Sequence, residues 1–281
     1  MPVLSEQDKE FFKENGYVVA RQVVPQPDLD AVIAAIWEFL GMNPDGPSDW
    51  YRPPLSPNSM IEMYQHPAVW GPRQQPRVHE AFADIYGTEK LWVSIDRVSM
   101  KPPVNPAHPQ YDTDRGLYLH WDVDTSKLPV PFFVQGALYL SDTTEEMGGF
   151  QCVPGFHRGL EEWVKTQPAD RHPKLPDLER LPDGMKVTPI PGKAGDLVIW
   201  NSLLAHGNGR NLSNLPRLAQ YITMFEASQD DEAARQSRIE SWRERLRAGW
   251  APGGPHGPEH EHGQTAELTP LGRKLVGLDL W

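Results

Sequence analysis

Two histidines and one aspartate in this sequence have the residue types and spacing of an iron(II) site. His120 and Asp122 are separated by one residue, and His206 lies 86 residues after His120. Two histidines and one carboxylate can form a facial triad that binds iron(II) and leaves three coordination positions open. A bidentate 2-oxo acid would fill two of these positions and molecular oxygen the third. The triad therefore predicts oxidative chemistry with these three reactants.

The His-x-Asp motif alone is weak evidence for a metal site, and other residues must support it. In a chain with 10 histidines and 38 acidic residues, such a triplet is expected about once by chance. Arg217, 11 residues after His206, adds a fourth member to the pattern. Its planar guanidinium can pair bidentately with the far carboxylate of 2-oxoglutarate. Arginines at strand starts can also be simple surface ion pairs, but we predict the ligand role for Arg217.

The elements that must position these residues are predicted to be short strands. From Leu91 onward, extended segments alternate with turn signals, and few helical runs separate them. This pattern favours two antiparallel sheets in a jelly roll over a parallel β/α sheet. A strand over GLYLHWDV would place His120 and Asp122 on one face and Trp121 on the other. The predicted strands are LWVSIDRVSM, GLYLHWDV, FFVQGALYL, FQCVP, MKVTPI, DLVIW and RLAQYITMF.

Helices are predicted ahead of the strands. Charged residues 5–14 and the apolar stripe in residues 28–40 indicate two helices on either side of the extended GYVVARQVV. Residues 43–60, rich in Pro, Asp and Ser, are predicted as surface loop. We expect a mainly β protein with flanking helices in one domain, residues 1–281. Its expected parts are a helical part at about 1–90, a jelly-roll core at about 91–228 and a C-terminal extension at about 229–281.

The amino-acid composition limits which kinds of binding partner and which cellular compartment we expect for this protein. The single Cys152 excludes an internal disulfide framework and fits a reducing compartment. No apolar run approaches the roughly 20 residues of a membrane helix, and the N-terminus is charged. A net charge of -11 disfavours nucleic acid as the main partner. We therefore expect a cytoplasmic protein that acts on a small molecule, with its oligomeric state left open.

The chain resembles the phytanoyl-CoA dioxygenase family, whose pattern is His-x-Asp, a distal His and an Arg 11 residues beyond it. The resemblance extends to LSEQDKEFFKENGYVVARQVV, to MKPP, to ALYLSDTTEEMGGFQCVPGFHR and to the closing LTPLGRKLVGLDLW. It implies a double-stranded β-helix (cupin-like jelly roll) that uses iron(II), 2-oxoglutarate and oxygen. It also implies hydroxylation of an unactivated C–H bond, with release of succinate and CO2. The substrate is not implied, and no dense basic patch suits coenzyme A.

The same resemblance implies further cosubstrate contacts. The family often places a polar residue two positions after the distal histidine against 2-oxoglutarate, and here Asn208 departs from the usual hydroxyl. Arg97 stands four residues before the lysine of KPP, where a polar or sulfur-bearing side chain often lines the site. We expect it to share a strand face with Ser99 and to hold the cosubstrate or an acidic substrate. Related halogenases have Ala or Gly at the position of Asp122, so this aspartate favours oxygenation.

Substrate contacts are predicted mainly on the strand FFVQGALYL. Gln135, Ala137 and Tyr139 alternate along it and are expected to face the cavity, while the intervening positions face outer helices. Trp121 is predicted to be a core residue that could also contact substrate. The proline-rich segment 102–115, just before the metal motif, has the placement of a substrate-covering loop or a structural connector.

Two other functions use the same residues. One is a non-catalytic metal-binding jelly-roll protein. The other is a zinc-dependent hydrolase with a metal-bound water, in which Arg217 has no evident role. Outside the triad, His157 in PGFHR is more typical of a tight turn than of a catalytic group. The histidines at 256, 260 and 262 lie in the Gly- and Pro-rich segment 250–263, which is predicted as solvated loop.

Overall fold

Short antiparallel strands and flanking helices build the fold in this computed structural model, which describes residues 2–113 and 118–281. The strands in the described residues are β1 Tyr17–Ala20, β2 Met60–Ile61, β3 Leu91–Val93, β4 Val98–Lys101, β5 Val134–Tyr139, β6 Phe150–Cys152, β7 Thr188–Pro189, β8 Leu197–Asn201, β9 His206–Asn208, β10 Arg217–Tyr221 and β11 Met224–Glu226. The α-helices there are α1 Glu6–Asn15, α2 Gln26–Leu40, α3 Pro67–Arg73, α4 Pro76–Tyr86, α5 Leu160–Lys165, α6 Glu232–Arg243, α7 Pro258–His262 and α8 Pro270–Val276.

Two sheets form the jelly roll. The major sheet has the order β1-β8-β5-β10-β4-β2, and the minor sheet has the order β7-β6-β9. Each neighbouring pair in them is antiparallel, and β3 and β11 form a separate antiparallel pair. Neighbours in the sheets are distant in sequence, so loops cross between the sheets and leave a cavity there. The predicted mainly β fold with flanking helices is confirmed.

The strand β5 shows how the core is divided. Val134 and Leu138 join the large buried cluster on the helical side of the major sheet. Ala137 and Tyr139, on the opposite face, pack with residues of the minor sheet such as Phe150. Successive side chains of a strand point to opposite faces, and the predicted phase of this strand is confirmed. The face that carries Ala137 and Tyr139 is the one that faces the cavity.

Local signals define the first two helices. At the start of α1, Ser5 accepts a hydrogen bond from the Asp8 N–H, while Asp8 accepts one from the Ser5 N–H, which is a capping box. The helix ends at Gly16, whose φ of 78° is left-handed and favours glycine. Both helices predicted from the sequence are confirmed as α1 and α2.

Two segments predicted as loop carry more structure than their composition indicates. Within residues 43–60, Trp50 and Leu55 are buried, and the indole N–H of Trp50 donates to the Asn43 carbonyl at 2.9 Å. Proline and aspartate break regular elements, but they do not decide whether neighbouring aromatic residues are buried. The prediction of a surface loop is therefore wrong for these side chains.

The segment 250–263 is likewise not a solvated loop throughout. It contains α7, and the carboxylate of Glu259 is buried. Glu259 accepts hydrogen bonds from the backbone N–H groups of Tyr64 and Gln65 at 2.7 and 2.9 Å. The C-terminal extension is thereby attached to the segment that follows β2. No helix in the described ranges is both long and apolar enough to cross a membrane.

Candidate metal centre

The predicted triad comes together at one end of the minor sheet. His206 is the first residue of β9, and His120 forms a single antiparallel bridge with it through two backbone hydrogen bonds of 2.8 and 3.0 Å. One ligand atom from each of His120, Asp122 and His206 can be chosen so that all three lie within 4.8 Å of one another. The Nε2 atoms of His120 and His206 lie 3.5 and 3.7 Å from the Asp122 carboxylate oxygens. This spacing lets one ion contact all three side chains.

The strand predicted over GLYLHWDV does not form in its described part. Its first two positions, 116 and 117, lie outside the described residues. Beyond the bridge at His120, the Trp121 N–H donates to the Lys174 carbonyl at 2.9 Å, and the chain bends at Asp122. At Trp121 the backbone therefore bonds to a residue distant in the sequence instead of continuing the pairing with β9. The two ligands converge through this bend rather than through the period of a regular strand.

The ring of His206 is oriented for metal binding. Nδ1 of His206 lies 2.9 Å from the Leu204 carbonyl, which can only accept, so Nδ1 carries the proton and Nε2 keeps its lone pair. The ring also packs against Trp200 and Phe150 with centroid separations of 5.0 and 5.9 Å. A backbone carbonyl that fixes the tautomer is the usual support of a metal-binding histidine. His206 is therefore prepared as an Nε2 ligand.

The carboxylate of Asp122 is held in its charged form. Burial raises the pKa of this group, but interactions with His120, His206 and Gln135 outweigh burial and hold the pKa well below its usual range. The Gln135 Nε2 donates a short hydrogen bond to Oδ2 of Asp122. Gln135 therefore orients the carboxylate from the opposite sheet, and its own Oε1 has no partner among the described residues. The predicted substrate contact of Gln135 stays a prediction.

Removing the Gln135 amide should weaken the metal site. We expect Gln135→Leu to lower iron(II) affinity about 10- to 100-fold, since partners that orient metal ligands typically contribute that much. Anaerobic titration against a competing chelator measures the effect. Gln7→Leu, on the exposed face of α1, is the matched control and should bind iron like the wild type. Equal affinities in both variants would show that Gln135 does not position Asp122.

Arg217 lies in a buried polar pocket beside the triad. It begins β10, its residue surface is 2% exposed, and its Nη1 donates to the Ser99 hydroxyl at 2.7 Å. Its Nη2 lies 3.5 Å from Oδ1 of Asn208, two residues after His206. Its Nε has no hydrogen-bond partner, and no carboxylate lies within 4 Å of its guanidinium among the described residues. A buried cation in this state is suited to an incoming carboxylate.

Arg97 has a different environment from the one predicted. It lies one residue before β4, whereas Ser99 lies within β4 beneath Arg217. Its Nη1 pairs with Glu62 at 3.0 Å, and its guanidinium lies 4.8 Å from the ring centroid of Trp250. Arg97 lines the cavity, but its charge already has a carboxylate partner. A cosubstrate contact by Arg97 stays a prediction.

One cavity of about 690 Å³ joins these groups, a volume within the usual range of small-molecule sites. Gln135, Ala137 and Tyr139 line it, as the alternation along β5 predicts. The hydroxyl of Tyr139 donates to the Ile190 carbonyl, so this side chain offers its ring to the cavity. A substrate contact of Tyr139 stays a prediction. The cavity walls are mostly apolar, and besides the histidines the acidic and basic side chains among the lining residues are Asp96, Arg97, Asp122, Lys174 and Arg217.

Trp121 lies outside the cavity, which corrects its predicted substrate contact. Its side chain is fully buried in a separate cluster with Phe156 and Trp163. Its indole N–H donates to the Leu203 carbonyl at 3.0 Å. Although no regular strand forms here, the side chain between the two ligands is buried in an apolar cluster outside the cavity. Trp121 therefore anchors the segment between His120 and Asp122 to this buried cluster.

Truncation of Trp121 should reduce stability. We expect Trp121→Ala to lower the free energy of unfolding of the metal-free protein by about 3–5 kcal/mol, through lost burial and the cavity left behind. Chemical denaturation followed by circular dichroism gives this value. Trp250→Ala is the matched control, because Trp250 is 59% exposed and should contribute much less. Similar losses for both tryptophans would contradict a core role for Trp121.

Some residues near the site were missed by the sequence analysis, and others lie away from it. Asp96 and Trp250 both line the cavity. The charged Asp96-Arg97 pair inside an otherwise apolar strand pattern could have indicated Asp96. No local pattern indicated Trp250. His157 lies away from the cavity, with Nε2 3.1 Å from the Lys13 carbonyl. In segment 102–115, residues 114 and 115 lie outside the described residues, and Tyr111 is buried. A covering role for that segment stays a prediction.

Comparison with known proteins places this site in a family. A family model described as phytanoyl-CoA dioxygenase (PhyH) matches residues 12–219. A putative phytanoyl-CoA dioxygenase of Dictyostelium discoideum is 24% identical over 272 residues, which cover 82% of this chain and 78% of that protein. An ectoine dioxygenase of Bordetella bronchiseptica is 27% identical over 155 residues, 51% of this chain and 49% of that protein.

A solved structure shares the fold. The epimerase SnoN, in complex with Fe³⁺, alpha ketoglutarate and nogalamycin RO, has a TM-score of 0.54 and 18% sequence identity. The similarity covers 79% of this chain and 84% of SnoN. The family match includes all three triad residues and Arg217. This chain belongs to the phytanoyl-CoA dioxygenase family.

Proposed function

We propose that this protein is an iron(II)- and 2-oxoglutarate-dependent oxygenase that hydroxylates an unactivated C–H bond of a small or medium-sized metabolite, releasing succinate and CO2. The observation that carries the proposal is the buried Arg217 guanidinium, which has no carboxylate partner in the described part of the chain and lies beside a two-histidine, one-carboxylate group. A metal site alone would suit several functions. The added cation specifies an anionic cosubstrate.

The residues of the site divide into two tasks. His120, Asp122 and His206 would hold iron(II), which in this kind of site supplies the activation of oxygen. Arg217, with the Ser99 hydroxyl beside it and Asn208 at 3.5 Å, would bind the far carboxylate of 2-oxoglutarate and so fix its orientation. The apolar walls around Ala137 restrict water at the site.

The relatives support the class of reaction and the size of the substrate. The Bordetella bronchiseptica relative is named for ectoine, a small molecule, and SnoN was solved with iron and alpha ketoglutarate. A cavity of about 690 Å³ has room for a cosubstrate and a metabolite of modest size. We also propose, from composition, that the chain is one cytoplasmic domain without a nucleic-acid partner.

Succinate formation tests the proposal against its two alternatives. We expect the purified protein to convert 2-oxoglutarate to succinate under air when iron(II) is present, with consumption of oxygen. Replacement of iron(II) by zinc should abolish this conversion, because zinc has no redox chemistry. A non-catalytic binding protein would bind 2-oxoglutarate without forming succinate. A hydrolase would be active with zinc and independent of oxygen, and either result would contradict the proposal.

A further inference from the structure

The cavity contains a second carboxylate, Asp96, which the metal and cosubstrate sites do not use. Asp96 lies between β3 and β4 and lines the cavity together with Ile95 and Arg97. His120, Asp122 and His206 line the same cavity, so Asp96 and the predicted metal site share one enclosed space. A carboxylate that faces a mostly apolar cavity is costly unless a donor or cation meets it.

The donors around Asp96 leave its charge incompletely compensated. Its Oδ1 accepts a hydrogen bond from the backbone N–H of Arg97 at 2.8 Å. The Arg97 guanidinium turns instead to Glu62, and the buried Arg73 donates to the backbone carbonyl of Asp96 rather than to its carboxylate. Among residues 2–113 and 118–281, no side-chain cation lies within 4 Å of the Asp96 carboxylate.

The electrostatics of this carboxylate agree with the geometry. Burial raises the pKa of Asp96 to about 6, against the opposing effects of the Arg97 N–H and of the charges on Arg97 and Arg73. A cation placed against Asp96 would favour its charged form and offset the cost of burial. The fold therefore leaves a position in the cavity where a positive charge is stabilised.

We propose that Asp96 anchors the substrate through a basic nitrogen, so that the substrate class is a small metabolite with a protonated amine or amidine. This inference rests on the proposed function and deepens it. The carbon skeleton would lie between Asp96 and the triad, against apolar groups such as Ile95 and Phe133. Arg97 is held away from the nitrogen by Glu62, so the two cations do not compete for Asp96.

The alternative role for Asp96 is structural, through its bond to the Arg97 N–H. Asp96→Asn separates the two roles, because asparagine keeps an acceptor of the same shape and loses only the charge. Asp96→Glu keeps the charge on a longer side chain. The exposed Asp45→Asn is the control for loss of an aspartate charge elsewhere.

The test is anaerobic calorimetry on the protein loaded with iron(II) and 2-oxoglutarate. The probes are a panel of amino acids, primary amines and amidines, each paired with its N-acetyl derivative, which is neutral at that nitrogen. We expect at least one probe to bind the wild type about 10- to 100-fold more tightly than its derivative, as for a charge-assisted hydrogen bond. Asp96→Asn should remove this preference, and Asp96→Glu and Asp45→Asn should retain it.

The outcomes separate this inference from the proposed function. If no probe binds the wild type more tightly than its N-acetyl derivative, or if Asp96→Asn keeps the preference, the amine proposal is wrong. The wild-type comparison needs no variant, so a poorly folded Asp96→Asn protein does not prevent a decision. Failure of the proposed function would appear separately, as absence of 2-oxoglutarate binding and of succinate formation by the wild type without any probe.

Discussion

The Asp122→Ala protein is expected to form succinate from 2-oxoglutarate at least about a thousandfold more slowly than the wild type, which corresponds to roughly 4 kcal/mol of lost stabilisation. The physical reason is the charge of the site. Asp122 is the single carboxylate among the three predicted ligands, and its pKa is held low by His120 and His206. Without it, iron(II) would keep two neutral ligands and lose the anion that balances its charge.

Iron content and succinate rate should both be measured for this variant. Metal analysis after gel filtration reports the loss of iron, and the succinate assay at saturating iron(II) reports whether added metal restores turnover. Asp183→Ala, an exposed aspartate, is the matched control and should behave as the wild type. Full activity and unchanged iron binding in Asp122→Ala would show that Asp122 is not a ligand.

The second large effect concerns Arg217. We expect Arg217→Met to raise the KM for 2-oxoglutarate at least about a hundredfold, since truncating one partner of a buried, hydrogen-bonded charge pair costs roughly 2–5 kcal/mol. Methionine fills much of the same volume, so the space beside Ser99 stays occupied while the charge is removed. The KM of Arg217→Lys should lie between those of the wild type and Arg217→Met, because an ammonium keeps the charge and loses the bidentate geometry.

The Arg217 prediction is checked by succinate kinetics over a range of 2-oxoglutarate concentrations, with calorimetry of 2-oxoglutarate binding as a second readout. Arg77→Met removes an exposed arginine near the start of α4 and should leave the KM unchanged. An unchanged KM in Arg217→Met would remove the main support for 2-oxoglutarate as the cosubstrate. That result would favour a zinc-dependent hydrolase as the function instead.

The sequence was sufficient to select four residues that the structure brings together: His120, Asp122 and His206 form one group, and Arg217 lines the same cavity. His120, Asp122, His206 and Arg217 could be predicted because metal ligands and an anion-binding arginine require particular residue types at particular spacings. The phase of β5 followed from the period of two along a strand, and it correctly separated Ala137 from the helix-facing positions. These predictions depend on local pattern or on fixed chemistry, both of which a sequence contains.

Long-range contacts account for what the sequence did not predict. The bend at Asp122 depends on a hydrogen bond from Trp121 to Lys174, more than 50 residues away. The hydrogen bond from the Tyr64 amide to Glu259 joins residues 195 positions apart. Such partners are chosen by the assembled fold, and no periodicity within one segment indicates them.

The attachment of the C-terminal extension by Glu259 also bears on how this enzyme could diversify. The triad and Arg217 lie within residues 12–219, whereas Trp250, which contacts Arg97 and lines the cavity, lies beyond that range. Because Glu259 binds the backbone amides of Tyr64 and Gln65, this contact does not depend on which side chain occupies position 250. Selection on this segment can therefore alter which molecules are accepted while the oxidative machinery is inherited unchanged.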